Sequence, residues 1–296
     1  MAPHATDLFE GQRPFLTGLA YRILGSRAEA EDAVQDTWLK WREADLSEIS
    51  NPAGWLTTAC TRHCIDVLRS ARRQRVNYVG AWLPEPIQTV NHNTPESAVE
   101  RSSSLSMAFL LVLERLAPKE RAAFLLREIF DHSYQDVAAV LGVQEAACRK
   151  LVSRARGRLG DSVPGTEVPR KRQEELLAAF QAAILTGATQ QLAALMTEDI
   201  QLQTDGGGKA LALPKPLFGQ GDVLKFLGET LHRFWQRYRW QWVDLNGMHG
   251  ALIFDDDQVV ASVSLDVDSA ERISGVYIMR NPDKLARLGN PLEPIR

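Results

Sequence analysis

Cysteine is scarce in this chain, with three in 296 residues. Cys60, Cys64 and Cys148 are too few and odd in number for a disulfide framework, which fits a reducing compartment. Cys60, His63 and Cys64 share about one helical turn, but zinc needs a fourth ligand and none stands nearby. Apolar packing accounts for the thiols, and no metal or cofactor is expected. No apolar run approaches the roughly 18 residues that span a bilayer. The opening "MAPHATDLFEGQRP" is polar and acidic and lacks the charged-then-apolar order of a signal peptide, so a cytoplasmic location is expected. Net charge is also small, −3 at pH 7, which argues against a protein that grips nucleic acid unaided.

Apolar residues are plentiful, at 45%, enough for packed cores in two or three domains. Charge is unevenly placed: Arg69, Arg72, Arg73 and Arg75 form one basic cluster, and Arg149, Lys150, Arg154, Arg156 and Arg158 a second. Such clusters are either solvated faces or nucleic-acid contacts, and their position must decide.

The pattern predicts a multidomain chain: two all-α domains, the second with a helix-turn-helix, followed by an α+β domain. Residues 1–75 read as helices. "DLFEGQRPFLTGLAYRIL" has an apolar stripe ending at Gly25, Ser26 with Glu29 forms a capping box, and Asn51-Pro52 opens a third helix. Residues 76–94 read as a linker with two prolines, no basic residue and an exposed-looking Trp82. Residues 95–162 are helical again, with helices expected from Thr94-Pro95 to about 116, from Pro118, and from Ser133. Residues 170–290 read as α+β. Helices at about 172–186 and 189–196 precede the strand-like runs "IQLQT", "YRWQWVDL", "ALIFDD", "VVASVSLDV" and "ISGVYIM", with one amphipathic helix, "GDVLKFLGETLHRFW", among them.

In "YQDVAAVLGVQEAACRKLVSRARGRL" two short helices meet at a glycine-containing turn, the form of a helix-turn-helix. Cys148, Leu151, Val152, Ala155 and Leu159 follow helical spacing and make the buried side. Ala146, Lys150, Ser153, Arg154 and Gly157 project opposite them, flanked by Arg149 and Arg156. That basic face with small residues suits a major groove; the alternative is a basic surface helix in a helical hairpin. In "SRAEAEDAVQDTWLKW", Ala30, Val34, Thr37, Trp38 and Trp41 form the buried side, and Leu39 projects among Asp32, Gln35, Asp36 and Glu43. A leucine on an acidic face is a candidate protein-docking spot.

These stretches carry a resemblance. "AEAEDAVQDTWLKW" is similar to the region of bacterial sigma factors that docks on the β′ clamp helices of core RNA polymerase. "WLTTACTRHCIDVLRSARR" resembles the promoter-melting region, and the helix-turn-helix resembles the region that reads the −35 element. Their order and spacing are those of the extracytoplasmic-function (ECF) class. The resemblance implies polymerase contacts at Asp32, Gln35, Asp36 and Leu39, and −10 contacts at Arg62, Asp66, Arg69, Arg72 and Arg73. It implies −35 contacts at Glu145, Ala146, Arg149, Lys150, Ser153 and Arg154, with core polymerase (β′ clamp helices and β flap) and promoter DNA as partners. Two positions depart from the pattern: Arg62 stands where many ECF factors carry asparagine, and Gln144 where the recognition helix usually opens with serine.

"TDGGGKAL" looks at first like a phosphate loop. In a Walker A motif the first glycine would fall at Gln203, Ala210 replaces the required Ser or Thr, and "ALALPKPLFG" is no helix, so nucleotide binding is not expected. A turn between strands is the plain reading. Resemblance supplies another, because one group of ECF factors carries a fused SnoaL-like domain of cone-shaped α+β fold with a "WLPEP" linker, a "DGGGK" loop and a terminal "NPDKL". Here these are Trp82, Leu83, Pro84, Glu85 and Pro86; Asp205, Gly206, Gly207, Gly208 and Lys209; and Asn281, Pro282, Asp283 and Lys284 with Leu285. The resemblance implies a built-in regulator, with the glycine loop docked on the sigma domains or on the linker. His232, His249, Asp199 and Asp244 are candidates for proton transfer in such a cone, but nothing in their spacing requires it; a small ligand tuning regulation suits the cone better, and no enzyme is expected. Two rivals remain: a stand-alone DNA-binding regulator with a ligand-sensing domain, and a SnoaL-type enzyme fused to a DNA-binding module. The first does not explain the acidic docking helix.

Overall fold

The computed structural model describes residues 3–75, 78–89, 105–160 and 168–289, with side chains from residue 5 on and excluding those of 71–75. These residues divide into two compact units. One holds residues 3–75 and 110–160; the other holds 78–89, 105–109 and 168–289.

In the first unit, α1 (Pro3–Leu24), α2 (Arg27–Glu43) and α3 (Pro52–Arg75) pack together. Their starts obey local chemistry. The Ser26 side chain accepts from the Glu29 amide, and Asn51 Oδ1 accepts from the Gly54 amide at 3.0 Å, each satisfying an amide left over at a helix start. Phe9, Leu16, Leu19, Trp41, Leu56 and Leu68 form the common core, and Trp41 donates its indole N–H to the Ala5 carbonyl at 2.9 Å. Cys60 and Cys64 are fully buried and free, as apolar packing requires.

The same unit continues from Leu110 with the rest of α4 (Met107–Leu113), α5 (Pro118–Phe124) running into a π-turn over Leu125–Ile129, α6 (Tyr134–Leu141) and α7 (Glu145–Leu159). The expected helix from Thr94-Pro95 to 116 is seen as Met107–Leu113; residues 90–104 lie outside the described residues. Gly142 ends α6 in the left-handed region (φ 62°, ψ 48°), where glycine carries no Cβ penalty, and its amide returns to the Ala138 and Ala139 carbonyls.

The second unit is a mixed sheet backed by helices. Strands β1 (Met196–Asp205), β2 (Leu217–Phe218), β3 (Arg239–Leu245), β4 (Met248–Asp255), β5 (Gln258–Val267) and β6 (Ile273–Met279) lie in the order β2-β1-β6-β5-β4-β3. Only the β1–β6 pairing is parallel among the described residues. Period-2 alternation puts Ile200, Leu202, Ala251, Ile253, Val263, Val276 and Ile278 on one face. That face packs on α8 (Arg170–Thr186) and on the helical stretch α10 (Gln220–Lys225), a π-turn and α11 (His232–Trp235). α9 (Gln190–Ala193) is shorter than the expected 189–196, because Met196 already belongs to β1. Asn246-Gly247, both with positive φ, close the β3–β4 hairpin with the backbone twist such turns favour.

The linker's described part, residues 78–89, belongs to this second unit rather than standing between domains. Gln88 bridges to Leu245, and Ile87 and Asn246 exchange hydrogen bonds of 2.9 and 3.2 Å. Leu83 and Ile87 are buried. A short Pro-braced ribbon thus extends the sheet at its β3–β4 end. α12 (Pro282–Leu285) closes the domain, with Asn281 accepting from the Asp283 amide.

Candidate functional site

The residues singled out in the sequence lie on four faces. On α2, Ala30, Val34, Thr37 and Trp41 are buried, and Asp32, Gln35, Asp36 and Leu39 all lie on the exposed side. Leu39 is 45% exposed, an apolar projection within an acidic surface. Asp36 lies 3.4 Å from His63 of α3.

On α3, Asp66 and Arg69 form an exposed pair at 3.0 Å. Arg72 and Arg73 fall on the helix, but their side chains lie outside those described. Arg62 is engaged: its Nε donates to the Val140 carbonyl at 3.0 Å and its Nη2 to the Ala139 carbonyl at 3.4 Å, both in the last turn of α6.

On α7, Cys148, Val152, Ala155 and Leu159 are buried and Leu151 is half-buried. Glu145, Ala146, Arg149, Lys150, Ser153 and Arg154 are all exposed on the other side. Gln144 makes no side-chain cap, the structural counterpart of the missing serine. The arginines are held. Arg149 pairs with Glu145 at 2.5 Å and lies 4.2 Å over the Tyr134 ring. Arg154 and Arg158 grip the two oxygens of Glu120 at 2.9 and 2.5 Å, and Arg156 pairs with Glu128 at 2.6 Å. Burial pushes the Glu120 carboxyl up, but the Arg154 hydrogen bond, the Ala117 amide and the Arg158 charge outweigh it and hold its pKa below the usual range. Glu120 went unnoticed in the sequence because it looks like an ordinary N3 glutamate in "APKERAAF"; its carboxylate does cap Ala117, at 3.1 Å, while anchoring α7.

The fourth face lies in the second unit. The "WLPEP", "DGGGK" and "NPDKL" stretches meet at the Asp205 carboxylate, which is fully buried. Oδ1 accepts from the Tyr78 hydroxyl at 2.7 Å and from the Gly207 amide at 2.9 Å; Oδ2 accepts from the Leu83 amide at 2.9 Å and from Lys284 Nζ at 2.8 Å. Lys284 also donates to the Leu83 carbonyl at 2.5 Å and sits 4.4 Å over the Trp82 ring. Asn281 donates to the Tyr78 hydroxyl at 2.9 Å. Trp82, exposed-looking in the sequence, is therefore a half-buried cation–π partner. Burial, and next the Asp205 hydrogen bond, push the Tyr78 phenol far above its ordinary pKa, so it is a neutral donor. Glu85 is buried, and Pro84 and Pro86 are buried beside it. Gly207 has φ +60°, and a Cβ there would overlap Asn281; a Cβ on Gly208 would press on Val79 at 3.3 Å. The lysine of the loop contributes less than expected: Lys209 pairs with Asp283 at 2.6 Å, but both are more than half exposed, and such pairs contribute little. Tyr78, outside all three stretches, is the participant missed by motif reasoning.

Of the four candidates for proton transfer, the structure brings His249 and Asp244 together and leaves His232 and Asp199 apart from them. His249 Nδ1 pairs with Asp244 Oδ1 at 2.8 Å and its amide takes Gln173 of α8. His232 instead binds the Ile184 carbonyl, eleven residues and so roughly 16 Å further along that helix. Asp199 is exposed.

Residues 8–74 match the family "Sigma-70 region 2", and residues 106–159 match "Sigma-70, region 4". The chain belongs to the ECF family of RNA polymerase sigma factors, which direct transcription initiation and are not enzymes. It is 36% identical to the ECF RNA polymerase sigma factor SigJ of Mycobacterium tuberculosis, over 76% of this chain and 73% of that protein. It is 27% identical to the probable ECF factor SigI of the same species, over 94% and 93%. The crystal structure of M. tuberculosis SigJ superposes with a TM-score of 0.73 at 31% identity, covering 97% of this chain and all of that one. This chain thus has helical sigma domains followed by a helix-and-mixed-sheet domain of SnoaL-like fold, consistent with that structure.

Proposed function

We propose that this sigma factor docks on the β′ clamp helices of core polymerase through Asp32, Gln35, Asp36 and Leu39. In this reading α3 engages the −10 element through Arg62, Asp66, Arg69, Arg72 and Arg73, region 4 (residues 95–162) meets the β flap, and α7 reads the −35 element with Glu145, Ala146, Arg149, Lys150, Ser153 and Arg154. The SnoaL-like domain (170–290) regulates both in cis by holding the linker. The observation that carries this last step is the Asp205 carboxylate, which takes hydrogen bonds from the linker at Tyr78 and Leu83, from its own loop at Gly207, and from Lys284 near the C-terminus.

The physical logic is one of reach. The connection between the regions is at most about 3.3–3.6 Å per residue when extended. Each linker residue fixed to the third domain is removed from that reach, so docking the linker sets where regions 2 and 4 can stand. Core polymerase supplies much of the grip on DNA, which reconciles the −3 net charge with promoter binding. The test is run-off transcription with core polymerase, comparing the intact protein with Asp205→Asn and Lys284→Met. Altered promoter output from both variants at unchanged core affinity is expected; output equal to the intact protein from both would remove the cis-regulatory reading.

A further inference from the structure

The first unit holds regions 2 and 4 together as one packed body, and its seam is specific. Arg121 of α5, 1% exposed, donates to the Ile23 carbonyl at the end of α1 at 2.7 Å. Phe15 of α1 meets Phe130 edge-on at 5.0 Å. In the same seam Arg62, from the helix that resembles the promoter-melting region, reaches the last turn of α6, the first helix of the helix-turn-helix. Carbonyls in that turn have no partner within the helix and carry the negative end of its dipole. Gly142 satisfies the Ala138 and Ala139 carbonyls through its amide, and the guanidinium takes Val140. The absence of a side chain at Gly142 leaves room: a Cβ there would touch Arg62 Nη2 at 3.4 Å.

This body cannot read a promoter as it stands. Elements centred about 25 base pairs apart are separated by about 85 Å at 3.4 Å per pair. A packed unit of about 125 residues has a radius of gyration of only about 14 Å. Regions 2 and 4 must therefore part, and the Arg62 guanidinium cannot hold α6 and DNA at once.

We propose that Arg62 is an autoinhibitory latch: its hydrogen bonds to the C-terminal carbonyls of α6 hold the two DNA-reading regions closed, and core polymerase, by drawing them apart, releases the same side chain to the promoter. The proposal rests on the sigma-factor reading of regions 2 and 4. It gives a reason for arginine where many ECF factors carry asparagine, whose side chain is too short to reach the carbonyls of α6 in this way.

The test uses the full-length protein with dyes on Glu10→Cys in α1 and Gln135→Cys in α6, both exposed; the three native cysteines are buried. Energy transfer is measured in the free protein, and core affinity is measured in parallel, because Arg62 lies outside the docking face of α2. The free wild type is expected to show high transfer that falls when core binds. Arg62→Ala and Arg62→Asn are expected to lower transfer without core and to bind core more tightly, on the order of tenfold if the closed form is about 90% populated. Arg62→Lys, which keeps the charge and one donor, should fall between. Transfer and core affinity unchanged in both Arg62→Ala and Arg62→Asn would overturn the latch. If no form binds core, the polymerase reading fails, and the transfer measurement on the free variants still decides the latch alone.

Discussion

Lys284 Nζ lies 2.8 Å from the Asp205 carboxylate, joining positions 79 residues apart in a pocket where the carboxylate is fully buried and the lysine side chain is 13% exposed. A buried ion pair of this kind is costly to desolvate, and it persists because its remaining capacity is filled: Asp205 takes three further hydrogen bonds, and Lys284 adds the Leu83 carbonyl and the Trp82 ring. Removing one partner leaves a buried charge uncompensated. Asp205→Ala is expected to destabilise the third domain by about 3–5 kcal/mol and to expose residues 78–89 to limited proteolysis, whereas Asp205→Ala with Lys284→Met should recover part of the loss. A double-mutant cycle in urea checks this, and strictly additive losses would argue that the two residues do not act together.

Gly207→Val places a branched side chain on Asn281 in a backbone with φ +60°. A loss of about 1–3 kcal/mol in the stability of the third domain is expected from strain and overpacking, together with a change in promoter-driven transcription. ATP binding should be absent before and after. Wild-type stability and output in this variant would reduce the loop to a simple turn.

Polymerase docking is tested on α2. Asp32→Arg with Leu39→Ala alters only exposed positions, so helical circular dichroism should be unchanged while core binding is lost. Undiminished core affinity would move the docking site elsewhere.

The recognition helix is tested on α7. Lys150→Ala and Arg154→Ala should each weaken −35-dependent transcription, by about 1–3 kcal/mol where a base contact is bidentate, and phosphate contacts should show as a shallower salt dependence. Unchanged transcription in both would mean that the helix faces something other than DNA.

Glu120 adds a pH dependence. Its folded pKa lies below that of an unfolded glutamate, about 4.3, so the stability it contributes is present above that value and is lost as pH falls through the lower folded value. Wild type should therefore lose its advantage over Glu120→Gln between about pH 4.3 and the acid side of it. Denaturation curves for the two proteins at pH 7, 4 and 3 report this directly, and a constant gap at all three would exclude the carboxylate as the anchor.

Much of this architecture was legible from local chemistry. The apolar stripe of α2 placed Asp32, Gln35, Asp36 and Leu39 on one exposed face, because 3.6-residue spacing fixes the outside once the inside is known. β6 was readable from "ISGVYIM" to the residue, as a short β-branched and aromatic run that is buried along almost its whole length. What the sequence withheld were pairings between distant residues. Nothing in "TRHC" tells that Arg62 ends on the Val140 carbonyl, nor in "NYVG" that Tyr78 donates to Asp205. Trp82 looked exposed because its partner, Lys284, lies some 200 residues away. The glycines of the loop were read correctly as permitting close approach, but which surfaces approached depended on tertiary packing.

The central claim is that this chain directs core polymerase to promoters. It is tested most directly by reconstituted run-off transcription: core polymerase with a promoter template, with the wild-type protein and with the Asp32→Arg, Leu39→Ala double variant. Promoter-dependent transcript is expected with wild type and none above core alone with the double variant. Core polymerase that neither binds the wild-type protein nor initiates with it on any template of a promoter library would contradict the account.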